Sequence, residues 1–240
     1  MMNIPAIISL SNPKSPEAEA YRTLRTNLQF STVDHELQTI LVTSPNAAEG
    51  KTTTVCNLAV SFAQIGKKVL IIDGDLRRPR LHTYLGLSNT VGISNVLTQN
   101  LPVQEAMKEA MLDIQVLTCG PTPPNPAELL NSNRLKELLN QLKQHFDIIL
   151  IDTPPVGVVT DAAILSTLVD GTLMVIASHQ TESDQAVRAM KLLQTVGAKV
   201  LGTVLTKVPA DRKGYYGYQY YDYQHENSQK SYKSKKRHVR

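Results

Sequence analysis

At 240 residues and 42% hydrophobic content, the chain is long enough to bury a full core as one α/β domain followed by a tail. It has no run of about 20 apolar residues that would span a membrane, and no apolar leader behind a basic cap, so a cytoplasmic protein is expected. Two distant cysteines, Cys56 and Cys119, exclude a disulfide or metal framework and read as reduced core thiols; the charge of +4 is local and does not point to nucleic acid.

Residues 15–31 (SPEAEAYRTLRTNLQFS) read as an amphipathic helix ahead of the sheet, with Tyr21, Leu24 and Leu28 on one stripe and Pro16 in the first turn. Then come six apolar, β-branched runs: 39–44, 68–73, 114–119, 146–152, 172–177 and 199–206. Longer amphipathic stretches separate them, which predicts an α/β fold with a mainly parallel sheet flanked by helices. The runs ending at Ser44, Asp73 and Asp152 each meet polar or Gly/Pro-rich sequence, which places these residues at the carboxyl ends of strands, where open α/β sheets bind ligands.

The segment TSPNAAEGKTTT (43–54) lies between the first of these strands and an amphipathic helix, and its Gly50-Lys51-Thr52 core matches the end of a P-loop. In such a loop, backbone N–H groups of Ala47, Ala48, Glu49, Gly50, Lys51, Thr52 and Thr53 wrap phosphate oxygens. Lys51 supplies mobile positive charge, and the Thr52 hydroxyl can ligate Mg²⁺. Pro45 stands where a P-loop has its first glycine, and a positive φ at Ala48 would cost roughly 1 kcal/mol.

Two acidic segments complete the pattern. Asp73 and Asp75 follow the second strand in DGDLRRP, and FDIILIDTPP is a buried strand ending in Asp152, as a Walker B strand requires. Transfer of a phosphoryl group from ATP to a phenol needs Mg²⁺, a positioned acceptor and a group to receive the proton. We assign Asp152, Asp75 and Thr52 to the metal and Asp73 to the acceptor hydroxyl, or Asp73 and Asp75 the other way round. Arg77 or Arg78 is available to a phosphate or to a neighbouring subunit.

From Asp211 the composition turns to Gly, Tyr, Gln, Ser and Lys, which predicts a flexible tail over 211–240 behind a catalytic domain of 1–210. Tyr215, Tyr216, Tyr218, Tyr220, Tyr221 and Tyr223 hold six of the nine tyrosines, and Tyr232 adds another. Residues 225–240 carry six Lys or Arg against Glu226, a net of +5, which leaves −1 for residues 1–224. Alone, such a segment reads as adhesive or aromatic nucleic-acid-binding sequence; beside a phosphotransferase loop it reads as a leash of acceptor phenols.

In this order, TSPNAAEGKTT, VLIIDGDLRRP, FDIILIDTPP and the terminal tyrosines resemble the bacterial tyrosine kinases of capsule and exopolysaccharide synthesis, over essentially the whole chain. EAYRTLRTN (19–27) is similar to that family's oligomerisation helix, and GPTPPNPAELL (120–130) matches it as well. The resemblance implies a P-loop fold that binds ATP and Mg²⁺ and has Lys51, Asp73, Asp75 and Asp152 as its catalytic set. It further implies autophosphorylation in trans within a ring joined through Glu19, Arg22 and Arg25. The implied partners are a membrane-embedded polysaccharide chain-length regulator acting as activator, a cognate tyrosine phosphatase and other tyrosine substrates; no direct nucleic acid is expected. Ala47-Ala48 replace the family's common Pro-Gly, and the last strand ends Thr206-Lys207 where an Asn is frequent near the base.

The nearest rival is a partitioning or cell-division ATPase switch of the same P-loop branch. Those proteins carry a second lysine early in the loop, where this chain has Pro45-Asn46, and lack the tyrosine tail. A third reading is a non-catalytic scaffold whose basic tail binds an anionic surface.

Overall fold

In the computed structural model, residues 7–31 and 37–209 are described. They form, in order, α1 (Ile8–Ser11), α2 (Pro16–Gln29), β1 (Thr39–Thr43), α3 (Lys51–Ala63), β2 (Val69–Asp73), α4 (Leu81–Leu85), α5 (Ile93–Gln99) and α6 (Val103–Ala106). Then follow β3 (Met107–Glu109), β4 (Gln115–Leu117), α7 (Pro126–Leu130), α8 (Asn133–Leu142), β5 (Ile148–Asp152), α9 (Asp161–Ser166), β6 (Gly171–Ala177), α10 (Ser183–Thr195) and β7 (Val200–Thr206). The chain divides into a unit of Met1–Thr206 and a second of Lys207–Arg240, slightly ahead of the composition change at Asp211. The tail tyrosines, Tyr215 to Tyr223 and Tyr232, lie outside the described residues.

The strand order is β3-β4-β2-β5-β1-β6-β7. Every pairing is parallel except β3 with β4. All six apolar runs became strands; β3 was not legible, because MKE is too short and too polar to carry a period, and it is held only as an antiparallel edge on β4.

Alternation along the strands builds two main cores. Ile40 and Val42 of β1, Val69 and Ile71 of β2, and Ile148 and Leu150 of β5 enter one core with Val55, Leu58 and Phe62 of α3. Their neighbours Leu41, Leu70, Ile72, Ile149 and Ile151 enter the other, with Ile93 of α5 and Leu135, Leu138 and Leu142 of α8. Burial on both faces explains why these strands are continuously apolar. The amphipathic helix ends at Gln29; Leu28 is buried in the first core, Leu24 packs against it, and Ser15 caps the first turn by accepting from Ala18 N at 3.1 Å.

At the amino edge of the sheet Asp170 ties three elements together. It accepts from Gln38 N (3.1 Å), Thr39 N (2.8 Å), Thr39 Oγ1 (2.8 Å) and Lys143 Nζ (2.8 Å). Burial alone would push this carboxyl up, but the donors at Lys143 and Thr39 outweigh it and bring it below the ordinary carboxylate value. Because the folded value is depressed, the stabilisation is present above the unfolded value near 3.9 and fades as pH falls through the folded one. Asp170→Ala should cost about 2 kcal/mol at pH 7 and much less near pH 3, by urea denaturation at the two pH values.

Candidate active site

The carboxyl edge of β1 turns into residues 44–50, which wrap the start of α3. The turn requires left-handed backbone at Gly50 (φ 97°) and at Ala48 (φ 60°). Alanine lacks glycine's freedom there, so the loop holds Ala48 against a cost of roughly 1 kcal/mol. Ser44 closes the turn by donating to Asn46 O at 2.5 Å and accepting from Lys51 Nζ at 3.1 Å. Burial pushes the Lys51 ammonium down, against the opposing pull of Asp152, Asp75 and Glu49.

Asp73 and Asp152 are direct partners in the β2–β5 register, so the pairing itself brings together residues far apart in sequence. Thr52 Oγ1, in the first turn of α3, donates to Asp152 Oδ2 at 2.5 Å. Asp152 Oδ1 is buried and accepts no hydrogen bond among the described residues. Burial pushes Asp152 up to about 6, with Asp75 adding to it, while Thr52 and Lys51 pull the other way. Asp73 is raised well above the usual carboxylate range, first by burial and then by the charge of Asp152. It accepts from Asp75 N at 3.2 Å and from Leu81 N at 3.2 Å. Asp75 lies at the start of the following loop, and its Oδ1 accepts from the N–H groups of Arg77 (3.2 Å) and Arg78 (2.9 Å).

The structure therefore gathers Lys51, Thr52, Asp73, Asp75 and Asp152 at one sheet edge. Arg77 is committed within the chain: its Nε and Nη2 donate to the fully buried Asp161 at 2.8 and 3.0 Å, anchoring the acidic loop to α9. Its availability to a phosphate or a neighbour, expected from sequence, is reduced accordingly, whereas Arg78 is exposed. Glu49 is also turned inward, with its carboxylate on Thr181 and Asn46. Distant Glu19 and Arg22 pair with each other on the half-exposed face of α2, while Arg25 donates to Ser61 O at 2.7 Å. Both cysteines are buried free thiols, and burial pushes Cys119 up to about 12.

Sequence reasoning placed Ser44 and Thr206 at strand ends but missed their bonds to Lys51 and Glu49, and it missed Asp161 and Thr181 altogether. Asp161 had a local signal, an acid opening a helix after a Pro- and Gly-containing loop. The contacts of Thr181 and Thr206 with Glu49 had none, since they span 132 and 157 residues of chain.

The model of the AAA domain family matches residues 37–199. The chain is 45% identical over 215 residues to the tyrosine-protein kinase YwqD of Bacillus subtilis (strain 168), covering 88% of this chain and 90% of that protein. The kinase domain of the Escherichia coli tyrosine kinase ETK superposes with a TM-score of 0.83 at 32% identity, covering 91% of this chain and 86% of that one. The septum site-determining protein MinD of Pyrococcus horikoshii OT3, solved with Mg-ADP, is more distant: TM-score 0.60, 25% identity, 70% and 69% coverage.

Proposed function

Because the chain belongs to the bacterial tyrosine-protein kinase family, with an AAA domain over residues 37–199, we propose that it transfers the γ-phosphoryl group of ATP to tyrosine hydroxyls at the site built around Lys51, Thr52 and Asp152. One observation carries this reading. The Thr52 hydroxyl of the phosphate loop is bonded to a strand-end carboxylate whose second oxygen is buried and has no hydrogen-bond partner among the described residues, with Asp73 directly across the register.

The residues fit a magnesium–nucleotide pair. Among the described residues no three His, Cys, Asp or Glu side chains stand ready to hold a metal by themselves. Mg²⁺ suits such a site, because it takes one or two carboxylates, hydroxyl or water oxygens, and substrate phosphates. Thr52, Asp152 and Asp75 would hold it, and when bound it supplies Lewis-acid neutralisation of phosphate charge. The backbone of 47–53 and Lys51 hold the triphosphate. Asp73, whose carboxyl burial and the charge of Asp152 raise well above the ordinary carboxylate range, takes the phenolic proton as the phenol oxygen bonds to the γ-phosphorus and the bond to the β–γ bridging oxygen breaks.

The acceptors in this reading are Tyr215, Tyr216, Tyr218, Tyr220, Tyr221, Tyr223 and Tyr232 of a second copy, within a ring joined through Glu19, Arg22 and Arg25. Each phosphate would add about 1.5 to 2 negative charges beside the basic tail, switching its contacts and loosening the ring. No helix among the described residues is long and apolar enough to cross a membrane. We place the protein on the cytoplasmic face of the membrane, held there by a membrane-embedded regulator of polysaccharide chain length and reversed by a tyrosine phosphatase.

Incubation with Mg²⁺ and ATP labelled on the γ-phosphate tests this, alone and with the regulator's cytoplasmic segment. Label on tyrosine is expected, and its loss in Lys51→Met. Free phosphate without phosphotyrosine would favour the MinD-like switch, and neither product would favour a scaffold.

A further inference from the structure

The phosphate loop of this chain departs from a glycine-rich one at Ala48, yet Ala48 takes the left-handed backbone that glycine usually supplies. Something must hold it there, and the hydrogen bonds of the next residue identify what does. Glu49 is 3% exposed. Its Oε1 accepts from Thr181 Oγ1 at 2.6 Å and from Asn46 Nδ2 at 3.3 Å, and its Oε2 accepts from Asn46 N at 3.2 Å. The Glu49 carbonyl accepts from Thr206 Oγ1 at 2.7 Å. Asn46 Nδ2 also donates to Gln185 Oε1 in the first turn of α10, at 2.7 Å. Thr181 Oγ1 in turn accepts from Ala177 N at 3.1 Å, at the end of β6.

We propose that Glu49 is a positioning residue for nucleotide binding: its side chain is a strut that ties the phosphate loop to Thr181 just past β6 and holds Asn46, which in turn reaches Gln185 of α10, so that the left-handed turn at Ala48 is imposed. The main-chain carbonyl of Glu49 is held separately by Thr206 at the end of β7. This inference rests on the nucleotide-binding reading above and goes beyond it. Glu49 contributes its backbone N–H to the loop, while its carboxylate is filled by protein donors, Asn46 and Thr181. That pairing resolves the oddity of an acid in a loop that binds anions, because Asn46 and Thr181 occupy the charge before a phosphate meets it. Thr181 and Gln185 thereby become determinants of phosphate-loop shape, although neither belongs to the loop.

The test is the affinity for Mg·ADP by titration calorimetry on the full chain, with a thermal melt of each variant. Glu49→Ala should weaken binding about tenfold. Thr181→Val, which keeps shape and removes the hydroxyl, should weaken it several-fold without unfolding the loop region, and Thr181→Ser should retain wild-type affinity. The decisive variant is Ala48→Gly in the Glu49→Ala background: glycine needs no strut to adopt positive φ, so about fivefold of the lost affinity should return. A purely structural role for Glu49 would not be rescued in this way. Wild-type affinity in Glu49→Ala, or no recovery with Ala48→Gly, would overturn the strut alone. Wild-type protein that fails to bind Mg·ADP would overturn the nucleotide site and the strut with it. If Glu49→Ala does not fold, equal affinities for Thr181→Val and Thr181→Ser overturn the proposal.

Discussion

Asp152→Asn is expected to lower phosphoryl transfer about 10³-fold and to raise the melting midpoint of the nucleotide-free protein. The first effect follows from the role proposed for Asp152: it receives the Thr52 hydroxyl on one oxygen, and the other, buried and without a hydrogen-bond partner among the described residues, is where the proposed Mg²⁺ would bind. The second follows from the cost of that arrangement without a cation. Burial first, then Asp75, hold the carboxyl at about 6 against an ordinary value of 3.8. A folded value above the unfolded one means that the native state loses stability as pH rises through this interval. The full penalty, about 3 kcal/mol as an upper bound, is present above pH 6. Asp73, raised beside it, acts in the same direction. Asparagine keeps the shape and an acceptor for Thr52 but carries no charge. Melts at pH 5 and pH 7.5 should show the wild type losing midpoint with rising pH and the variant losing less. Mg·ATP should stabilise the wild type and not the variant. A variant that melts lower than wild type without nucleotide, or keeps the Mg-dependent gain, would contradict the assignment.

Arg77→Ala should destabilise the fold by about 3 kcal/mol, and more than Asp161→Asn does. The asymmetry comes from burial: the Asp161 side chain is fully buried while that of Arg77 is 41% exposed. Removing the guanidinium strands a buried carboxylate, whereas neutralising the carboxylate lets the guanidinium turn to water. The double variant should therefore be more stable than Arg77→Ala alone, by urea denaturation. The same pair carries the loop containing Asp75, so Arg77→Ala should also weaken Mg²⁺-dependent binding. A double variant no better than Arg77→Ala would show that the pair is not a buried-charge anchor.

The central sheet was legible because burial on both faces leaves strands such as IILID with no polar interruption, and parallel strands need the long intervening helices that the sequence displays. The strand-end aspartates were legible for the same reason, each being the first polar residue after such a run. β3 was not, because three residues on an edge carry no period. The partners of Glu49 were not either: a loop residue bonded to Thr181 is a product of the strand order β5-β1-β6, which nothing local to residue 49 encodes. For Arg77 the sequence offered a free cation, and only the approach of α9 revealed its partner. The loop pattern gave the cost of a positive φ at Ala48, whereas that the residue adopts it, and what holds it, required coordinates.

The most direct test of catalysis at this site is mass spectrometry on a mixture of two copies of the full chain, Lys51→Met grown with heavy nitrogen and wild type grown without, in Mg²⁺ and ATP. Phosphotyrosine should appear on heavy tail peptides spanning Tyr215 to Tyr232 only when the wild-type copy is present. Heavy phosphotyrosine formed by Lys51→Met alone, or tails of both copies left unmodified while the wild type consumes ATP, would contradict it.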